Sequence, residues 1–119
     1  MKTIAIPVFG NRISPRLDYT VSMQLITIEN GSIKDRETIK LIAHSSLEKI
    51  NMLIELHPDV IICDGVSKLS YDKLINHDIA VFPWVHGEVD TIIKKYLEGK
   101  LRRSNIQDQP GTKTEDNTF

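Results

Sequence analysis

Apolar and polar positions alternate along the first forty residues and then change period. Ile4, Ile6 and Val8 fall on one side of an extended segment and Thr3, Ala5 and Pro7 on the other, which is the two-residue period of a strand. After a loop from Phe9 to Tyr19, a second strand is predicted over roughly Ser22 to Glu29, with both faces partly apolar. Asn30-Gly31 follows, two residues that tolerate the positive φ of a type I′ hairpin turn. The third strand, about Ser32 to Ile42, sets Ile33, Ile39 and Leu41 among Lys34, Asp35, Arg36 and Glu37. That charge suits an exposed sheet edge, which it guards against unwanted pairing.

From Ser45 the period becomes helical. Ser45-Ser46-Leu47-Glu48 reads as a capping box opening a helix whose Leu47, Ile50, Leu53 and Ile54 share a face. Pro58 follows its end, and Asp59 to Cys63 reads as a short buried strand. A helix from about Ser67 to Asn76 leads into a strand from Ile79 to Phe82. The last helix carries the clearest spacing, with Val89, Ile92, Ile93, Tyr96 and Leu97 on one stripe. Gly99 supplies its C-terminal cap, and Lys94, Lys95 and Lys100 suit the negative end of its dipole. The order βββαβαβα predicts an α/β fold, an RNase H-like mixed five-stranded sheet with flanking helices. The dense periodicity ends near residue 101, so residues 1–101 are expected to form the domain and 102–119 a flexible polar tail.

Composition narrows the function. The 119 residues make one domain of moderate size. Fifteen Lys plus Arg against sixteen Asp plus Glu give a net charge of −1, without the basic excess that a general nucleic-acid binder needs. A single cysteine excludes an internal disulfide, a Cys₄ zinc site and a conventionally ligated iron–sulfur cluster within one chain. The start, Met1 to Val8, is too short for a signal h-region, and the longest apolar runs are four residues, such as Val60 to Cys63. The expected setting is cytoplasmic and reducing, with neither membrane nor nucleic acid as partner.

Chemistry-bearing residues collect in three loops. The two β-helix-β crossovers make the last two strands parallel, with loops Asp64–Lys68 and Pro83–Glu88 at their carboxyl ends, where ligands of open α/β sheets bind. If the first strand is parallel to them, the loop Gly10-Asn11-Arg12-Ile13-Ser14-Pro15-Arg16 opens there too. One crevice would then gather Arg12, Ser14, Arg16, Cys63, Asp64 and His86, with Asn11, Pro15 and Gly65 of the same loops as further candidate cofactor-binding residues. Arginine forks and free backbone N–H groups suit an anion; the alternative is a solvated turn shaped by Pro15. A Cys63 thiolate could ligate a soft metal if the following helix N-terminus lowers its pKa, or Cys63 could be a small buried hydrophobe.

His44, His57 and His77 sit at element ends where solvated or structural roles are expected, whereas His86 opens the last helix beside Trp84. No H-x-x-x-H or C-x-x-C spacing provides a preformed metal cage. The RNase H-like order invites a nuclease, but two-metal hydrolysis needs carboxylates on central strands. The first strand has none, and Asp64 with Asp18 does not restore a cluster. No nucleophile–base or carboxylate pair is recognisable, so an enzyme is not expected.

Ile4-Ala5-Ile6-Pro7-Val8, followed by Ile13-Ser14-Pro15-Arg16-Leu17-Asp18, resembles the opening of the dinitrogenase iron–molybdenum cofactor biosynthesis family. That family includes NifX, NafY and the C-terminal domain of many NifB proteins. The resemblance continues through Val60-Ile61-Ile62-Cys63-Asp64-Gly65-Val66, Gly87-Glu88-Val89-Asp90 and Tyr96 to Leu101. It implies an RNase H-like domain that reversibly carries an iron–sulfur or molybdenum-containing metal-sulfide cluster, or a cofactor precursor, between cofactor-assembly proteins without catalysing a reaction. Ser14, Pro15, Arg16, Cys63 and Gly65 match its loop motifs. Two positions depart from it: Leu17 replaces an aromatic, and Cys63-Asp64-Gly65-Val66-Ser67 replaces a glycine-rich C-G-G-[IM]-G. Asp64 adds negative charge where an anionic cluster would approach.

Overall fold

Strand β1 (Lys2–Phe9) lies at the centre of the sheet in a computed structural model that describes residues 1–101. The segment 102–119, expected as a flexible tail, lies outside the described residues. Next come β2 (Arg12–Ile13), a 3₁₀ turn (Leu17–Tyr19), β3 (Ser22–Glu29) and β4 (Ser32–Lys40). Helix α1 (Ser46–Leu56), β5 (Val60–Ile62), α2 (Lys68–Asn76), β6 (Ala80–Phe82) and α3 (Val89–Leu97) complete the order. The main path of the sheet is β4-β3-β1-β5-β6. Strand β3 runs antiparallel to β1 and β4, while β1, β5 and β6 are parallel. The carboxyl ends of β1, β5 and β6 therefore share one edge of the sheet, and the α/β mixed architecture expected from the chain order is present.

The sheet has six strands where five were expected. The addition is β2, which lies inside what reads as a loop. Gly10 takes φ +65 in a two-residue turn, folding Arg12 and Ile13 back onto Phe9 and Val8. A two-residue strand carries too little pattern to be seen by period. Asn30 and Gly31 adopt φ 56 and 78, so the hairpin turn forms as read. The third strand ends at Lys40 rather than Ile42 and is the sheet edge, exposed along nearly its whole length.

Two apolar layers flank the sheet. Ile4, Ile6, Val8, Ile26, Ile28, Val60 and Ile62 meet Val89, Ile92 and Ile93 of α3. On the other face Ala5, Met23, Ile61 and Val81 pack with Ile50 and Leu53 of α1 and Leu74 of α2. The predicted cap forms with its return bond one residue early: Ser45 Oγ accepts from the Glu48 N–H at 3.1 Å, while Glu48 Oε1 accepts from the His44 N–H, before the cap residue, at 2.8 Å. The buried face of α1 differs from the expected one, because Leu47 is exposed and Lys49 is buried. The Lys49 stem lies inward and its ammonium donates to the Thr20 carbonyl, an arrangement that hydropathy alone assigns to the wrong residue.

Helix α2 begins on a buried carboxylate. The Ser67 N–H and the Ser67 and Ser70 hydroxyls donate to Asp18 at 3.3, 3.0 and 2.8 Å, and Ser67 Oγ caps the Ser70 N–H. The anionic group that a helix N-terminus favours is thus built into the protein. Replacing Asp18 by Ala strands these donors in a nearly closed site and should lower stability by about 2–4 kcal/mol. Urea unfolding measures it, and Ser70→Ala in the Asp18→Ala background should then add little, since its partner is already gone.

Candidate functional site

Backbone hydrogen bonds join the three predicted loops into one seam. Gly65 N–H donates to Pro15 O at 2.9 Å, and Leu17 N–H donates back to Gly65 O at 2.8 Å. On the other side of the hairpin, Ile13 N–H reaches Gly87 O at 3.0 Å and Val89 N–H reaches Asn11 O at 2.9 Å. The loops after β5 and β6 are tied to each other, with Trp84 N–H on Asp64 O at 3.0 Å and Val85 N–H on Cys63 O at 2.9 Å. Bridges Arg12–Glu88 and Arg16–Gly65 mark the same contacts. The convergence read from the strand order is therefore real.

The seam presents some of the predicted residues and withdraws others. Arg12, Arg16 and His86 are exposed, and Asp64 is half-buried. Arg16 lies across Gly65 and holds its guanidinium carbon 5.2 Å from the centre of the Tyr19 ring, a cation–π contact that orients it. Burial pushes the Asp64 carboxyl pKa up, and the neighbouring His86 charge pulls it partly back. Asn11 and Pro15 act through their carbonyls in the seam. Ser14 is buried and lines a separate recess with Tyr19 and Lys40, a recess that Arg12, Arg16, Asp64 and His86 do not line.

Cys63 is fully buried in the layer under α1 and α2. The thiol pKa lies above its ordinary value rather than below it. Burial pushes it far up, and the nearby Asp64 and Asp18 carboxylates push in the same direction. The α2 N-terminus, which could favour a thiolate, already holds Asp18. That burial suits the small buried hydrophobe, one of the two readings of Cys63. Among the described residues no group of three or more His, Cys, Asp or Glu could hold a metal ion.

Three features escape a reading of the sequence. Asp18 finds its partners 49 and 52 positions away. Lys49 hides in a helical apolar stripe. Trp84 adopts φ +66, a strained conformation for an aromatic residue, and nothing in its local sequence announces it.

No protein-family model matches the chain. An uncharacterised protein of Methanocaldococcus jannaschii is 28% identical over 105 residues, spanning 84% of this chain and 89% of its own. Among solved structures, another M. jannaschii protein, provisionally described as a dinitrogenase, is similar at a TM-score of 0.75 and 20% identity, covering 87% of this chain and 95% of that one. The apo form of the orange protein from Desulfovibrio gigas is similar at 0.74 and 16%, covering 88% and 94%. A Thermotoga protein provisionally described as NifB gives 0.69 and 17%, covering 96% and 100%. At these identities the likeness establishes the fold, and it agrees with the NifX-like fold implied by the sequence motifs. No helix among the described residues is long and apolar enough to cross a membrane.

Two outcomes follow. A Cβ at Gly65 would lie 2.9 Å from Pro15 O and from Arg16 Cδ. Gly65→Ala should therefore open the seam and lower stability by about 1–3 kcal/mol in chemical denaturation. For Cys63, a thiol reagent such as Ellman's should react with the unfolded chain and not with the native one. Because the folded thiol pKa is raised, its stabilising effect is full below the unfolded value of about 8.5 and fades as pH rises above it. Cys63→Ala should flatten that alkaline decline in melting temperature.

Proposed function

We propose that this protein is a non-enzymatic carrier of a metal-sulfur cluster or of an iron/molybdenum cofactor precursor, held reversibly at the loop seam. The observation that carries the reading is the set of main-chain bonds clamping the three loops while Arg12, Arg16 and His86 remain exposed beside Asp64 and Gly65. Similarity in fold to dinitrogenase-, NifB- and orange-protein structures supports it. The donor set fits an anionic cargo gripped by charge, with His86 as its open-coordination ligand. It does not fit a resident cluster anchored by the buried Cys63. Weak ligation suits transfer, because a carrier must release what it binds. Its partners in this reading are cytoplasmic cofactor-assembly proteins that deliver and accept the cargo.

A second reading is favoured by Asp64. A carboxylate at the seam opposes an anionic cluster, and a domain of this fold that has lost its cargo would instead bind a small anion or a partner protein there.

Anaerobic reconstitution with iron, sulfide and molybdate, followed by metal analysis and visible absorption, separates the two. A carrier takes up stoichiometric metal. Arg12→Gln with Arg16→Gln should then reduce loading about tenfold or more, Asp64→Gly should increase it, and Cys63→Ala should leave it unchanged. Absence of metal in wild type and Asp64→Gly alike overturns the carrier reading. A rise in melting temperature with simple oxyanions would then support the second one.

A further inference from the structure

We infer that a second site, independent of the cluster reading, binds a small organic anion: an oxyanion head on an apolar body. It is the recess of about 390 Å³ between the tip of the β1–β2 hairpin and the segment running from the 3₁₀ turn into β3. That volume falls within the range of small-molecule sites.

Three observations at this recess point to the same ligand. First, Ser14 lines it and is 8% exposed. Its N–H is used by Pro7 O at 2.9 Å, but its hydroxyl has no hydrogen-bond partner among the described residues. A buried hydroxyl left unpaired is costly, and a ligand that accepts from it removes that cost.

Second, the surrounding charge is positive and uncompensated. Lys40 lines the recess from the end of β4, and no acidic residue lines it. Lys49, also 8% exposed, donates its ammonium to the carbonyl of Thr20, itself a lining residue. Neither lysine has a carboxylate within ion-pair distance among the described residues. Buried cations are ordinarily paired, so an anion entering here meets the Lys40 charge at the wall, with the Lys49 charge behind Thr20 rather than in the lining.

Third, Phe9, Tyr19 and Val21 border the same recess with 79, 69 and 52% of their surface exposed. Three large apolar side chains left in water around one polar floor match a ligand that is apolar at one end. The neighbouring polar recess beside α3 lacks this combination, because its Arg36 is already held by Gln24 and Asp90.

The test is an amide NMR titration of the full chain with phenyl phosphate, benzoate, inorganic phosphate and benzyl alcohol. The site predicts saturable shifts centred on Gly10, Ser14, Thr20 and Val21 with phenyl phosphate or benzoate, the tighter of the two naming the head group. Benzyl alcohol, which lacks the charge, should not saturate. Lys40→Gln should weaken binding about tenfold and Ser14→Ala several-fold, while Arg12→Gln in the seam leaves it unchanged. Lys40 is exposed, so its variant tests binding without threatening the fold. The inference is overturned if neither organic anion saturates by about 10 mM or if the shifts centre on residues 84–88. It also falls if Lys40→Gln binds like wild type, or if inorganic phosphate binds as tightly as phenyl phosphate.

Discussion

The reciprocal backbone pair between Gly65 and the Pro15–Leu17 segment holds the functional end of the molecule together. Gly65 donates to Pro15 O and accepts from Leu17 N–H, and it can do so only because no side chain stands between the two strands of chain. Leu17 is thereby set into the core and Asp18 onto the start of α2. Tyr19 and Arg16 are left on the outside, ring against guanidinium. Remove the close approach and the hairpin loses its hold on β5, the helix loses its buried anion, and the arginines lose their footing. One contact thus couples local backbone geometry, core packing and surface charge.

Asp18 sets the sign of the electrostatics behind that contact. A free helix N-terminus at α2 would attract external anions and favour a thiolate at Cys63. With the carboxylate in place, its donors are spent internally, and the same negative charge adds to burial in keeping the thiol neutral. Exposed positive charge lies instead on Arg12 and Arg16 at the seam and on Lys40 at the Ser14 recess. Under the proposed carrier reading, charge and hydrogen bonding rather than sulfur ligation would hold a ligand.

The architecture was legible because it rests on period and punctuation. The alternation in β1, the Asn30-Gly31 turn, the Ser45–Glu48 cap and the stripe of α3 are each local signals, and together they place three loops at one sheet edge. What the sequence hid depends on contacts between distant segments. Strand β2 is two residues long and exists because β1 extends beyond β5 and leaves an edge to pair. Leu47 lost its expected place to Lys49, whose ammonium has an acceptor 29 positions earlier. Cys63 precedes a helix, which argues for a reactive thiol until the carboxylate from residue 18 is seen to occupy that helix. Ser14 belongs to the matched loop motif, yet it lines a recess that the arginines around it do not.

Because the seam is fastened by main-chain groups, its side chains are released from holding the fold. The bonds from Gly65, Ile13, Leu17, Val85 and Val89 do not depend on what stands at positions 12, 16, 64 or 86. A scaffold of this kind can change the charge and ligand set at one place without renegotiating its core. In this chain that freedom has put an acid at position 64, between the arginine-bearing loop and His86, where burial pushes its carboxyl pKa up. Under the proposed carrier reading, an anion bound beside Asp64 would disfavour its negative charge further, so anion binding and protonation of Asp64 would be thermodynamically linked.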